Sequence, residues 1–196
     1  MESKMYPVNL KGELIGMPSR GLWLVKWLLA IPHYIILYFL GIAAFFVWIM
    51  SWFAILFTGK YPKGLFDFMV GVMRWSWRVG FYGYNALGTD KYPPFSPQSV
   101  PDYPADFEVA YPEKLSRGLI FVKWWLLAIP HLIITAVFSD IMPILALVVG
   151  IILLFVHKYP ADFFKFMVGM NRWSYRVAAY VSLMRDEYPP FRLWDS

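Results

Sequence analysis

The chain has 196 residues, of which 59% are hydrophobic, 20% are aromatic and only 16% are charged. An average soluble domain is about 45–50% apolar and about 25% charged, so this composition favours an integral membrane protein. The absence of cysteine excludes disulfides, thiolate catalysis and cysteine-based metal sites, and the net charge of +5 indicates membrane topology rather than binding to nucleic acid, because the basic residues flank the apolar segments.

The sequence contains the same unit twice. The block from Ser19 to His33 returns between Ser116 and His131, and the block from Lys60 to Val79 returns between Lys158 and Val177. Each copy closes on Tyr-Pro-Pro-Phe. A duplication of this length predicts two copies of one structure, so any role assigned to a motif should hold in both places. We assign residues 1–95 to the first copy, residues 96–105 to a proline-rich linker and residues 106–196 to the second copy.

A long apolar segment follows the start of each copy. Among His, Lys, Arg, Asp and Glu, the run from Trp27 to Phe57 contains only His33, and the matching run of the second copy up to Val156 contains only His131 and Asp140. As one helix each run would measure about 45 Å, against a hydrocarbon core of about 30 Å. In the second copy Asp140 suits a helix N-cap and Pro143 a first helical turn, and Gly41 lies near the equivalent place in the first copy. We therefore predict two transmembrane hairpins, over about residues 21–57 and 118–156.

The distribution of the basic residues supports hairpins. With two crossings per copy, all 18 Lys and Arg residues, nine in each copy, lie on one side of the membrane. The positive-inside rule then places both termini and the linker in the cytoplasm of a bacterial cell, with the protein in its inner membrane. A single crossing per copy would instead place Lys60 and Lys63 opposite Arg20 and Lys26, and the charge bias would be lost.

A third helix is predicted after each hairpin, over about residues 64–84 and 161–182. Its charged residues share one face and its aromatic residues the others, which suits an amphipathic helix in the headgroup plane. The short alternating segments Tyr6–Leu14 and Asp106–Tyr111 are compatible with strands. The predicted fold class is an all-α integral membrane protein with two tandem repeats, each a transmembrane hairpin followed by an interfacial helix.

His33 and His131 each follow a proline inside an apolar segment, which makes them candidate functional groups. Near a shared axis they would carry protons in a small transporter or ion pathway, bind a metal, or ligate haem or contact a quinone. The structural alternative is a neutral imidazole that bonds a freed carbonyl or a neighbouring helix. We favour the structural alternative, because two histidines are a sparse ligand set.

Basic residues that recur at the cytoplasmic boundary form a predicted surface for anionic lipid headgroups or for other membrane protein subunits. These residues are Arg20, Lys26, Arg74, Arg78, Arg117, Lys123, Arg172 and Arg176. The alternative is that they only set topology and extend to the interface. Aromatic belts at the membrane boundary are predicted from Trp23, Trp27, Trp48, Trp52, Trp75, Trp77, Trp124, Trp125 and Trp173.

The blocks Leu-Leu-Ala-Ile-Pro-His, Lys-Tyr-Pro, Phe-Met-Val-Gly, Arg-Trp-Ser and Tyr-Pro-Pro-Phe, in this order and twice, resemble the bacterial membrane family known as domain of unknown function 4389. The resemblance covers nearly the whole chain and implies a prokaryotic integral membrane protein. One departure is the extra residue in Trp124-Trp125, which would rotate His131 by about 100° relative to Lys123. No catalytic constellation is visible, and we expect a non-catalytic accessory or scaffold subunit with no cofactor and no metal.

Overall fold

The computed structural model describes residues 6–194, so the prediction for the two chain termini falls partly on residues outside this range. A 3-10 turn (Leu22–Leu24) precedes the helices of the first copy, and a 3-10 turn (Leu119–Phe121) and a π-helical turn (Lys123–Leu127) precede those of the second. In chain order the other elements are β1 (Val8–Gly12), α1 (Lys26–Leu29), α2 (Ile31–Thr58), α3 (Lys63–Tyr82), β2 (Ala105–Val109), α4 (Ile129–Val156) and α5 (Ala161–Val181).

One uninterrupted helix stands in each copy where the sequence predicts a hairpin, so that prediction is wrong. α2 and α4 each have 28 residues, with Gly41 inside α2 and Pro143 inside α4. These residues weaken a helix by about 1 and about 3 kcal/mol. A turn at the same place would leave several backbone N–H and C=O groups without partners in apolar surroundings, at several kcal/mol each. The continuous helix is therefore the less costly solution.

The two segments with alternating polarity form an antiparallel pair of strands, which confirms the strands and corrects the all-α prediction. In the register, Leu10 lies opposite Phe107, and Val8 lies opposite Val109. Val8, Leu10 and Phe107 are buried, whereas the residues between them are more exposed. β2 includes Ala105, the last residue of the predicted linker, so the linker ends in a strand that the core requires.

The strand register reveals a pseudo-two-fold axis. Leu10 and Phe107 are 97 positions apart, the same spacing as Ser19 and Ser116 at the start of the repeats. The middle residue of β1, Leu10, therefore pairs with the middle residue of β2, Phe107, which is its own repeat equivalent. Each strand also lies against the third helix of the other copy, β1 against α5 and β2 against α3. The two copies consequently share one core, with buried residues from both.

α3 and α5 match the predicted third helices within two residues, and about half of each helix is buried inside the protein. Both are central elements of the fold rather than surface helices. α3 contacts the sheet through Trp77 and Arg78 and contacts α2 through Trp75 and Val79, and all four side chains are buried. The two arginines of each helix, which make a membrane span costly, contact polar groups of the protein. Such contacts are needed where an arginine is buried, and an arginine on the surface would not need them.

The extra residue of the second copy is absorbed by the π-helical turn. Leu127 N donates to Val122 O at 3.0 Å, a bond over five residues where an α-helix has four. This wider turn takes up the insertion within Lys123–Leu127, and His131 occupies the same environment as His33. The predicted rotation between His131 and Lys123 is therefore wrong.

The predicted belt tryptophans divide into buried, half-buried (Trp48 and Trp52) and exposed side chains. Trp23, Trp75, Trp77 and Trp173 are buried, so the prediction of a membrane belt is wrong for them. Trp23 packs flat over Gly150 of α4, where an added Cβ would lie 2.7 Å from the indole ring, which is why glycine is required there. Trp27, Trp124 and Trp125 are exposed.

Candidate functional site

An extended apolar surface is formed by α2 and α4. One stripe of α2, marked by His33, Val47, Ser51 and Ile55, packs on the protein. The remaining positions are half-buried or exposed and nearly all apolar, with up to 71% exposure at Phe57. α4 repeats the pattern, and in the most apolar windows only 17% of α2 and 28% of α4 is buried. By length and composition both helices can cross a membrane, and their exposure distinguishes them from the core helices of soluble proteins.

This surface continues into the turns that precede the helices. The exposed apolar residues there are Leu24, Val25, Trp27, Leu28, Leu29, Phe121, Trp124, Trp125 and Leu126. Phe121 and Trp124 also meet Trp52 and Trp48 of α2 at ring-centroid distances of 5.2 and 5.5 Å, and the four side chains line an apolar groove of about 350 Å³.

A buried ion pair ties the start of each copy to its end. Lys26, 1% exposed, donates to Thr89 O at 2.6 Å and lies 3.0 Å from Asp90. Asp90 also accepts a hydrogen bond from Ser19 N at 2.6 Å. Burial lowers the pKa of Lys26, and the carboxylate of Asp90 opposes that shift. For Asp90, burial raises the pKa, but the hydrogen bonds from Ser19 and Lys26 outweigh it and the pKa lies below its ordinary value.

The second copy builds the same ion pair. Lys123 lies 2.7 Å from Asp186 and donates to Arg185 O at 3.1 Å. Asp186 accepts a hydrogen bond from Ser116 N at 2.6 Å, as Asp90 does from the equivalent serine. Burial lowers the pKa of Lys123, and Asp186 opposes that shift. Both lysines therefore make their polar contacts inside the protein.

Each histidine lies in an aromatic cage of its own copy. His33 stacks on Phe95 at a centroid distance of 3.9 Å and contacts Tyr92 at 4.9 Å, and its Nδ1 accepts a hydrogen bond from Trp75 Nε1 at 3.0 Å. His33 is fully buried. The bond to Trp75 of α3 agrees with the structural alternative for this residue, a neutral imidazole that bonds a neighbouring helix.

The cage of the second copy has the same members. His131 stacks on Phe191 at 4.3 Å, with Tyr188 at 4.8 Å and Trp173 at 5.5 Å. The structure thus encloses His33 and His131 separately, each with rings from its own copy. Among the described residues no group of three or more His, Cys, Asp or Glu side chains is arranged to hold a metal ion.

The Tyr-Pro-Pro-Phe segment is the residue set whose role the sequence analysis missed. Tyr92 donates to Leu29 O at 2.8 Å, and Tyr188 donates to Leu127 O at 3.1 Å, so each tyrosine caps a carbonyl just before the Pro-His pair. The phenylalanine of the same segment covers the histidine. An aspartate stands two residues before the tyrosine in both copies, at Asp90 and Asp186. This shared Asp-x-Tyr-Pro-Pro-Phe pattern was the available signal.

The paired arginines of α3 face the sheet. Arg74 Nε lies 2.7 Å and Arg78 Nη2 3.3 Å from the same oxygen of Asp106 in β2. Arg78 is fully buried, and burial lowers its pKa while Asp106 opposes the shift. In α5, Arg172 donates to Leu10 O at 3.4 Å and Arg176 to Arg192 O at 2.9 Å. All four arginines thus contact protein groups.

Arg20 and Arg117 are the two predicted headgroup-binding residues that the structure leaves exposed. Arg117 lies beside Gly59, which ends α2 in the left-handed conformation with φ +70°. Near Arg20, Met17 Sδ accepts a hydrogen bond from Tyr159 N, just beyond the end of α4. Arg117 therefore stands by the carboxyl end of α2, and the segment that carries Arg20 passes by the carboxyl end of α4.

These features define a mostly helical protein with two repeat-like halves and two apolar helices that are long enough to cross a membrane. A family profile described as "Domain of unknown function (DUF4389)" matches residues 20–96 and 120–192. The chain therefore belongs to this family, as two tandem copies. No curated protein and no solved structure shows significant similarity to the chain.

Proposed function

We propose that this chain is a non-catalytic membrane protein of the bacterial inner membrane that serves as an accessory or scaffold subunit of a larger complex, with both termini in the cytoplasm. The observation that carries this proposal is the apolar face of α2 and α4, which is exposed along both helices. A surface of this size costs roughly 25 cal/mol per Å² when water covers it, so it belongs against lipid.

The use of the recurrent polar groups supports a structural role. The lysines hold Asp90 and Asp186, Arg74 and Arg78 hold Asp106, and the histidines are enclosed by aromatic rings. These contacts join the beginning of each copy to its end and the helices to the sheet. The motifs that identify the family are therefore explained as the means by which a small membrane-embedded body is kept rigid.

The side of the molecule that carries the sheet offers a surface for a partner subunit. A groove of about 530 Å³ runs between β1 and β2 on one side and α3 on the other. Its wall includes Lys63, Asp67 and Arg74 of α3, Glu108 of β2 and Tyr111 just after that strand. A groove lined by aromatic rings and by charges of both signs suits a polar protein segment, because charged side chains of that segment can pair with opposite charges of the groove.

The experiment has two steps. Membranes from the native host are first washed with alkaline carbonate, and we expect the chain to remain in the pellet, because carbonate removes peripheral proteins only. The protein is then extracted in mild detergent and its assemblies are weighed by native mass spectrometry. A reproducible assembly with other polypeptides supports the scaffold function. A chain that carbonate releases, or one that is recovered only as a lone protomer or homo-oligomer, contradicts it.

A further inference from the structure

We infer that α2 and α4 lie within the plane of one leaflet, the cytoplasmic one, and are held there by anionic headgroups around exposed basic residues at the two ends of the molecule. This inference rests on the proposed membrane location and adds how the chain sits in the bilayer.

The lengths of the apolar segments are the first argument. A helix of 28 residues measures about 42 Å, against about 30 Å for the hydrocarbon core. The exposed apolar residues extend further, from Leu24 to Phe57 and from Phe121 to Val156. At about 1.5 Å per residue these stretches come to just over roughly 50 Å along the chain. A segment that lies along the membrane plane has no such limit.

The helix directions are the second argument. Trp77 of α3 meets Tyr175 of α5 at 5.7 Å and Phe81 meets Phe164 at 6.1 Å. The partner number falls as the α3 number rises, so the two helices run in roughly opposite directions. Trp77 and Tyr175 are repeat equivalents, so the pseudo-two-fold axis passes between them. Antiparallel helices that a two-fold axis relates lie perpendicular to that axis.

α2 also lies roughly perpendicular to the pseudo-two-fold axis, because it runs alongside α3. Met69 of α3 lines the same groove as Trp48 of α2, whereas Trp75, further along α3, bonds His33 near the start of α2. α2 is therefore antiparallel to α3, and α4 has the equivalent relation to α5. The central residues of β1 and β2 lie on the same axis. All four long helices consequently run perpendicular to the axis that passes through the sheet.

This geometry is incompatible with a crossing of the membrane by α2 and α4. If they stood along the membrane normal, the axis would lie in the membrane plane and the sheet would lie at the depth of the hydrocarbon core. Lys11 and Glu108, both exposed on the strands, would then face lipid. Ionised side chains at that depth are costly and are normally paired or buried in protein. With the helices in the plane, the strands and their charges stay in water.

The basic residues at the ends are the third argument. Lys60 and Arg117 are exposed beside the carboxyl end of α2, and Lys158 and Arg20 are exposed beside that of α4. Because α2 and α4 are antiparallel, these two pairs lie at opposite ends of the molecule. Helices that cross the membrane would put one pair on each side, against the positive-inside rule, whereas helices in the plane put both on the cytoplasmic side. The charge pattern that first suggested hairpins therefore agrees with in-plane helices.

The topology can be tested with single cysteines, since the chain has none. Gly21 and Gly118 are repeat equivalents beside the two arginines, and a Cβ added at either meets no atom within 4 Å. Gly21→Cys and Gly118→Cys are labelled in sealed, oriented membrane vesicles with a membrane-impermeant maleimide from either side. We expect both to react from the cytoplasmic side only. Reaction of the two variants from opposite sides would overturn the inference.

A depth measurement separates in-plane helices from a deep hairpin. Gly41→Cys and Phe53→Cys replace exposed residues of α2, and Gly41 also has open space around it. A fluorophore on each is quenched by lipids that carry a spin label at known depths. In-plane helices give shallow depths at both positions, with Gly41 no deeper than Phe53. A greater depth at Gly41 than at Phe53 would contradict the inference while leaving the membrane location intact, and release of the chain by carbonate would defeat both proposals.

The headgroup part has its own test. A fourfold variant carries the substitutions Arg20→Gln, Lys60→Gln, Arg117→Gln and Lys158→Gln. It is reconstituted into vesicles of mixed phosphatidylglycerol and phosphatidylcholine and extracted again, and the lipid that stays bound to it is quantified. We expect the preference for phosphatidylglycerol to fall by about fivefold for each charge removed. Lys11→Gln, which removes an exposed lysine of β1, is the control and should keep the preference. An unchanged preference in the fourfold variant would contradict the assignment of the basic ends to anionic lipid.

Discussion

Replacement of Asp90 by alanine tests whether the buried ion pair holds the first copy together. Lys26 is 1% exposed and the Asp90 side chain 30% exposed. Without Asp90 the ammonium group keeps the Thr89 carbonyl at 2.6 Å and the Tyr82 ring at 4.7 Å, but no opposite charge. Loss of one partner of a fully buried pair costs about 3–5 kcal/mol. Because water reaches Asp90 partly, we expect a loss of about 2–3 kcal/mol in the free energy of unfolding.

The assay is equilibrium unfolding in mixed micelles of dodecyl maltoside and dodecyl sulfate, followed by tryptophan fluorescence. Asp67→Ala is the control, since it removes an exposed partner of Lys63 four residues away and should cost less than about 0.5 kcal/mol. The double variant Lys26→Met with Asp90→Ala should regain most of the loss, because no charge is then left buried. An Asp90→Ala protein as stable as the Asp67→Ala control, or a double variant as unstable as Asp90→Ala alone, would refute the reasoning.

Three further predictions concern the same framework. The folded-state pKa of Asp90 lies below its ordinary value of 3.8. The stabilisation by the ionised carboxylate is therefore complete above pH 3.8 and is lost as the pH falls through the folded-state pKa. Thermal unfolding of Asp90→Asn should consequently depend less on pH below about pH 4 than that of the natural chain. Gly71→Ala should cost about 1–3 kcal/mol, since the new Cβ would lie 2.8 Å from a proline side chain, whereas Gly64→Ala in the same helix has open space and should be neutral or stabilise by up to about 1 kcal/mol; chemical unfolding of the two variants compares them directly. Trp75→Phe removes the hydrogen bond to His33 and should cost about 1 kcal/mol by the same assay, with little change if the imidazole finds another donor.

Local pattern was sufficient for the elements that depend on local chemistry. The sequence predicts the third helices within two residues, because their charged and apolar residues recur with the helical period. It also predicts the strands, because their polarity alternates with period two. The duplication also required every solution to occur twice, and the cages of His33 and His131 meet that requirement. The family resemblance is confirmed over residues 20–96 and 120–192.

The partners of the recurrent residues could not be read from the sequence. The carbonyl that Tyr92 caps and the carboxylate that Lys26 holds are both more than 60 positions away, and sequence spacing carries no information on such pairs. The choice between a hairpin and one helix failed for a related reason. Asp140 and Pro143 are good turn residues in isolation, but the cost of unpaired backbone groups depends on the surroundings of the turn, which are apolar.

The sequence by itself determined the duplication, the helical and strand segments and the presence of two long apolar surfaces, because each of these is a property of neighbouring residues. Only the tertiary structure decided which side chains those surfaces leave exposed and how the copies are joined. Arg78 and Arg117 illustrate the difference: both are basic residues of recurrent motifs, yet one is buried against Asp106 and the other is exposed at the end of α2. The reason is that the strand which neutralises Arg78 belongs to the other copy, and the antiparallel register that brings it there is fixed by the pairing of Leu10 with Phe107.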